Sequence, residues 1–248
     1  MITKVEIQGQ KFTMDLSKPI DISIPLSGSS KNPSAWYLSP PEISPVIMDN
    51  FVGSVKDGAS TNFNTIVFNP HAHGTHTECI GHITKDFHGI GDALKEFHFI
   101  CELITLEPIS YQGDLVITKG QLSKALLGKK PTAVILRTLP NEKGKLSRQY
   151  SHTNPAYLLE DAALFLRQIG VKHLLIDLPS VDKEKDGGAL LAHKAFWGFH
   201  GDQRLDATIT EFIFVPNHIK DNTYFLNLQI VSFVNDASPS KPVLYELI

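Results

Sequence analysis

Twelve consecutive residues, His71-Ala72-His73-Gly74-Thr75-His76-Thr77-Glu78-Cys79-Ile80-Gly81-His82, narrow the folds open to this chain more than any other stretch. Four of the protein's eleven histidines fall here, beside a carboxylate, a thiol and two glycines. Imidazole and carboxylate are the usual ligands of catalytic zinc and similar divalent ions. On an extended segment His76, Glu78 and His82 share one face, whereas a helix scatters them. His71 and His73 share the opposite parity. Gly74 lets the backbone turn between the two sets so that both can converge on one ion. A divalent metal centre is therefore the leading reading; the alternative is a polar loop whose histidines bind carbonyls.

Composition restricts the partners. The chain has 248 residues, 42% hydrophobic and 20% charged, with a net charge of −3. That is ordinary for a globular protein with a substantial core, and it gives no electrostatic case for nucleic acid or an anionic membrane. Two cysteines, Cys79 and Cys101, indicate no disulfide framework. The N-terminus lacks the sections of a secretory signal, and no apolar run is long enough to span a bilayer. A cytoplasmic protein is the default expectation. With no internal repeat, low-complexity tract or evident linker, residues 1–248 read as a single domain.

The remaining elements follow from periodicity and punctuation. Residues 4–13 read as one alternating strand, and Asp21–Pro25 as a second. Ser27 to Pro45 is rich in Ser, Pro, Asn and Gly yet carries Trp36 and Tyr37, which suggests an ordered loop over a pocket. The β-prone run Thr65–Phe68 delivers the chain into the histidine window. Phe97–Leu106 reads as a buried strand with Cys101 in the core. Thr118 caps a short helix that ends near Gly128. Ala133–Thr138 and His173–Leu178 read as buried strands. Between them lies a helix with Asn154 as N-cap, Pro155 at its first position, a stripe from Leu158 to Ile169, and Gly170 as its stop. Strand, helix, strand suggests a crossover unit. Thr208–Val215 is β-rich with Glu211 in its middle, where a buried carboxylate needs a partner. Tyr224–Val234 reads as a final long strand.

With these residues in view, the sequence resembles the metal-dependent cyclase family that includes bacterial kynurenine formamidase and isatin hydrolase. Gly74-Thr75-His76-Thr77-Glu78-Cys79-Ile80-Gly81-His82 matches the central part of its His-x3-His-x-Asp-x-Pro-x-His pattern. Asp21-Ile22-Ser23 looks like its N-terminal Asp-Leu-Ser, and Ile176–Asp182 like its Gly-Ile-Asp-x-x-Ser-x-Asp. His193 and Ile209-Thr210-Glu211 correspond to its later ligands. The resemblance implies an α/β fold of the swivelling β/β/α type, a mixed sheet or barrel-like core with flanking helices. It further implies hydrolysis of a small amide, cyclic or N-formyl aryl, as in an arylformamidase, with one or two zinc or manganese ions per chain and a homodimer or homotetramer.

Carried over residue by residue, His76 and Glu78 bind the first metal, and Glu78 bridges to a second held by His193 and Glu211. His82 is the proton-transfer group, so His82 and Glu78 are the catalytic pair. The chain departs from the pattern at Ala72, where the family has its first histidine ligand; His71 and His73 flank that position, and His71 follows Pro70 as the family ligand often does. Glu78 replaces aspartate and Ile80 replaces proline. Trp36 and Trp197 are candidate apolar walls for the substrate and Arg204 a partner for a substrate carboxylate. A competing function is a metal-stabilised protein of the same fold that binds a small molecule without turnover. A serine hydrolase lacks support, because there is no Gly-x-Ser-x-Gly elbow, and neither a P-loop nor a Rossmann fingerprint points to a nucleotide.

Overall fold

The computed structural model describes every residue except Gln8. The chain opens with β1 (Ile2–Ile7) and β2 (Gln10–Asp15), paired antiparallel with Val5 opposite Phe12. The single strand expected over residues 4–13 is thus a hairpin. Gly9, at a φ of 77°, supplies a backbone conformation that residues with a Cβ avoid. β3 is only Ile20–Asp21, so most of the expected Asp21–Pro25 strand leaves the sheet. There Ile24 N–H donates to the Thr75 hydroxyl at 2.7 Å, which ties this segment to the histidine window.

β4 (Glu42–Pro45), β5 (Ile47–Met48), β6 (Phe51–Val52) and β7 (Asn64–Val67) follow. β4 pairs with β7 and β5 with β6, and neither hairpin joins another sheet. Next come β8 (His76–Glu78), α1 (Ile90–Ala93), β9 (His98–Leu106), β10 (Ile109–Tyr111) and β11 (Asp114–Ile117). α2 (Lys119–Leu126) starts at Thr118, whose side chain and that of Gln121 form the reciprocal capping box. β12 (Ala133–Thr138), β13 (Tyr157–Leu158), α3 (Glu160–Gln168) and β14 (His173–Ile176) lead to α4 (Leu191–Trp197), β15 (Thr208–Glu211), β16 (Asn222–Ile230) and β17 (Ala237–Glu246).

Seven strands close into a barrel in the order β16-β9-β12-β14-β15-β8-β17, with β17 returning to β16. β9, β12, β14 and β15 run parallel, and β8, β17 and β16 complete the wall by antiparallel pairing. This is the mixed barrel with flanking helices expected from the sequence. The near-continuous apolar runs of β12 and β14 now have a cause, since both faces of each strand are covered. Ala133, Ile135 and Leu175 turn inward onto Cys101, Leu103, Leu226 and Leu228. Val134, Leu136, Leu174 and Ile176 turn outward onto Leu122, Ala162, Leu166 and Phe196 of the helices. Among the described residues no helix is long and apolar enough to cross a membrane.

One helix boundary is corrected. Asn154-Pro155 lies outside α3, which begins at Glu160 with Leu159 at the cap. Tyr157–Leu158 is drawn into strand pairing with Val116–Ile117. The polar groups of Asn154 are spent elsewhere: its N–H donates to Glu184 and its side-chain amide to Asp114. Ala162 and Leu166 bury the expected stripe, and Gly170, at a φ of 91°, follows the helix end.

At the end of β14 the chain is anchored by a buried ion pair. Asp177 accepts from Thr138 N–H at 2.9 Å and from Lys145 Nζ at 2.7 Å, and both charged side chains are at most 4% exposed. Burial pushes the Asp177 carboxyl up even against the pull of Lys145. The pair fixes where the following segment, Leu178–Glu184, leaves the barrel. Replacing Lys145 by Met strands the carboxylate in a dry environment, and chemical denaturation is expected to read a loss of about 3–5 kcal/mol. A loss under about 1 kcal/mol would show that the pair does not anchor the strand end.

Candidate metal centre

β8 and β15 build the floor of the site by register. Glu211 lies opposite His76 and Ile209 opposite Glu78, so His76, Glu78 and Glu211 share the outer, helix-covered face of the barrel. On the other face Thr77 and Thr210 hydrogen-bond through their hydroxyls at 2.8 Å. Gly74, at a φ of 150°, turns the chain ahead of β8. That turn lets His71 approach from the preceding segment. His82 closes the 3-10 turn Ile80–His82, and α4 contributes His193.

Glu78 is the hub. Its Oε2 is 2.9 Å from His71 Nδ1, 3.8 Å from His76 Nε2 and 3.9 Å from His82 Nε2, and its Oε1 is 2.9 Å from His193 Nε2. His76 Nε2 is also 3.5 Å from Glu211 Oε2. The second ring nitrogens are held from behind. His193 Nδ1 donates to Asp182 at 2.6 Å, and His71 Nε2 bonds Asp236 at 3.0 Å. Asp236 also lies 3.4 Å from His82 Nδ1. Carboxylates placed behind imidazoles in this way fix ring orientation and tautomer.

The charges do not balance without help. Burial alone would raise Glu78, but the electrostatic pull of His82 and hydrogen bonds from His193 and His71 hold it well below the carboxylate range. Burial, then repulsion from Glu78, pushes Glu211 well above that range. Burial opposes protonation of His71 and His193, yet hydrogen bonds to Asp236 and Glu78 bring His71 up to about 10, and those to Asp182 and Glu78 raise His193 well above its usual value. His76 differs. Its Nδ1 is 3.0 Å from the Gly74 carbonyl, which can only accept, so that nitrogen carries the proton. Burial disfavours a second proton. Nε2 is thus left as a buried lone pair with no hydrogen-bond partner.

A divalent cation fits this arrangement. It would take the His76 lone pair and neutralise two carboxylates that otherwise repel. Candidate donor atoms of His71, His76 and Glu78 all lie within 4.8 Å of one another, as do those of Glu78, His82 and His193 and of His71, His82 and Asp236. Mixed imidazole and carboxylate donors suit zinc and manganese alike.

The structure brings together His71, His76, Glu78, His82, His193 and Glu211. His73 stands apart, its Nδ1 accepting from Asn69 N–H at 2.9 Å, so His71 is the histidine that reaches the position left by Ala72. Trp36 lines the adjoining cavity of about 320 Å³ together with Leu38, Asn69 and Leu190. Trp197 and Arg204 do not. Trp197 is fully buried, donates to the Ala207 carbonyl at 3.0 Å and packs its ring 5.1 Å from that of His193. Arg204 is spent on the carbonyls of Phe196 and Val171 and lies over the Phe196 ring. A larger cavity of about 1000 Å³, lined by Phe12, Phe99, Lys129 and Lys172, gathers no comparable ligand group among the described residues. Asp236 has no forewarning in the sequence, where it reads as turn composition between two strands. Asp182 belongs to a motif, but only the fold reveals its hold on His193.

Residues 14–183 match the model of the cyclase family, described as "Putative cyclase". The sequence has no match among curated proteins. Solved structures share the fold at low identity. An isatin hydrolase bound to the product analogue thioisatinate superposes with a TM-score of 0.70 at 14% identity, covering 93% of each chain. A predicted metal-dependent hydrolase from Bacillus stearothermophilus gives 0.65 at 18% identity, covering 92% of this chain and 98% of that one. Isatin hydrolase A from Ralstonia solanacearum gives 0.65 at 14% identity, covering 92% and 91%.

Two outcomes follow from this geometry. In metal-free protein the raised His71 pKa contributes stability that is full below about pH 6.5 and is lost as pH rises toward 10. A metal must displace such protons, so zinc affinity is expected to climb between pH 6 and 8, with proton release visible by calorimetry in buffers of different ionisation enthalpy. A pH-independent affinity would exclude His71 and His193 as ligands. Separately, Asp236→Asn should weaken metal binding by about 10–100-fold; unchanged binding would leave Asp236 without a role at the centre.

Proposed function

Because this chain belongs to the cyclase family, we propose that it is a metal-dependent hydrolase that cleaves the C–N bond of a small amide, cyclic or N-formyl aryl. One observation carries the reading: the orphaned His76 Nε2 sits with two repelling buried carboxylates beside an open cavity. His71, His76 and Glu78 would hold one ion, and Glu78 with His193 and Glu211 a second. Zinc and manganese both suit these donors. When bound, a divalent ion supplies Lewis-acid polarisation of a carbonyl and lowers the pKa of water.

The chain's own residues supply the rest. His82 has a side chain 31% exposed and so reaches the cavity, where it can take a proton from the attacking water and return it to the leaving nitrogen. Asp236, behind both His71 and His82, holds the two stacked rings, whose centroids are 4.2 Å apart, in register. Asp182 does the same for His193. Trp36, Leu38 and Leu190 give the cavity an apolar wall suited to a ring-bearing substrate.

The same reading makes the protein a homodimer or homotetramer. Support comes from the β4–β7 and β5–β6 hairpins, which expose Ile43, Ile47, Met48, Phe51, Ile66 and Val67 to solvent. A patch of that kind on a free-standing hairpin is characteristic of an interface. The two buried free thiols, Cys79 and Cys101, suit a reducing compartment such as the cytoplasm.

Elemental analysis of protein purified without added metal is expected to find one or two equivalents of zinc or manganese per chain. Chelator-sensitive hydrolysis of lactams or formyl anilides should accompany it. Glu78→Ala should abolish both metal retention and turnover. If it lowered only thermal stability in a protein that never turned over an amide, the chain would be a metal-stabilised binding protein instead. The double variant Ile47→Asp/Met48→Asp should yield monomers by light scattering, and a wild-type monomer would refute the oligomer.

A further inference from the structure

Five non-glycine residues lining the cavity or in the loops bonded to its Glu184 and Asp186 hold left-handed backbone: Trp36, Tyr37, His152, Asn154 and Leu190, with φ from 47° to 65°. Side chains with a Cβ disfavour this conformation, and two such residues in succession persist only where their surroundings hold them. Three of the five are held through one carboxylate. Glu184 Oε1 accepts from the Tyr37 hydroxyl at 2.8 Å and from His152 N–H, and Oε2 accepts from Asn154 N–H at 2.9 Å. The Tyr37 and His152 rings lie 4.6 Å apart, and Tyr37 N–H donates to Ser151 Oγ at 2.8 Å.

Trp36, next in the chain, is fastened at its other end. Its indole N–H donates to the His71 carbonyl at 3.1 Å, which sets the ring as a wall beside the metal centre. Glu184 itself follows Asp182 by two residues, so one short segment reaches both His193 and the loop that carries Trp36. Three converging donors demand an acceptor-only group, which a carboxylate is and an amide is not. Glu184 has no hydrogen bond or ion pair with the candidate metal ligands. Its loss is therefore expected to spare the centre and to loosen the loop that carries Trp36.

We infer that Glu184 is a positioning residue that fixes Trp36 as the wall of the substrate cavity and thereby sets affinity for flat, ring-bearing amides. The substrate class rests on the hydrolase reading above; the positioning rests on the hydrogen bonds alone.

The test uses metal-loaded full-length protein and two variants, Glu184→Gln and Tyr37→Phe. Tyr37 is 50% exposed, so removing its hydroxyl leaves the core untouched if the first variant fails to fold. Trp36 is partly exposed and Trp197 fully buried, so acrylamide quenching reports on Trp36. Glu184→Gln should be quenched at least about twofold more efficiently. It should raise KM for a formyl anilide about tenfold while kcat stays within about twofold and metal content is unchanged. Tyr37→Phe should shift quenching and KM in the same direction by less. Unaltered quenching in both variants would overturn the inference, as would a fall in kcat at constant KM or a loss of metal. Quenching needs no substrate, so a wild type that hydrolyses nothing would count against the hydrolase reading while the wall's dependence on Glu184 could still be read.

Discussion

Two carboxylates share one dry pocket floor, and the structure around them is arranged to make that tolerable. Glu78 and Glu211 lie on adjacent strands with both side chains at most 4% exposed. Like charges so placed cannot both persist unless cations or protons stand between them. Four imidazoles surround Glu78, and the outer nitrogen of three of them faces a further carboxylate, Asp236 or Asp182. Val181 N–H, donating to Glu211 at 2.9 Å, completes the cage. A divalent ion would balance the charge of this arrangement, which otherwise relies on protons held by His71, His193 and Glu211.

The support for this floor comes from a single stretch of chain after β14. Asp177 is pinned to Lys145 and Thr138; Val181 reaches Glu211; Asp182 orients His193; Glu184 gathers the loops at the cavity mouth. Eight consecutive residues thus join the barrel, the ligands and the substrate wall. Charged groups recur along this stretch because each has a specific partner, and a solvated loop of the same composition would have none.

Much of this was legible in the sequence, and the failures have physical causes. The even spacing of His76 and Glu78, with Gly74 ahead of them, puts the two side chains on one face of β8 because strand parity is a local property; His82 reaches the same cluster from the 3-10 turn that follows. Apolar runs at Ala133–Thr138 and His173–Leu178 identify barrel strands for the same reason, although β14 itself stops at Ile176. Asn154-Pro155 misled, since a cap signal is weak beside two long-range bonds to Glu184 and Asp114. Arg204 and Trp197 looked available for substrate only because a sequence does not show which carbonyls lie nearby. Asp236 could not be found at all: it is 165 residues from His71, and only closure of the barrel through β17 brings the two together.

That closure has a kinetic consequence. β8 is three residues long yet has no free edge, being paired to β15 on one side and β17 on the other. Its amides cannot exchange with solvent by fraying and must wait for the barrel to open, so His76 and Glu78 belong to the slowest-exchanging part of the molecule. The barrel wall itself therefore holds the β8 half of the candidate centre, and any ordering on binding an ion would fall on His71, His82 and His193.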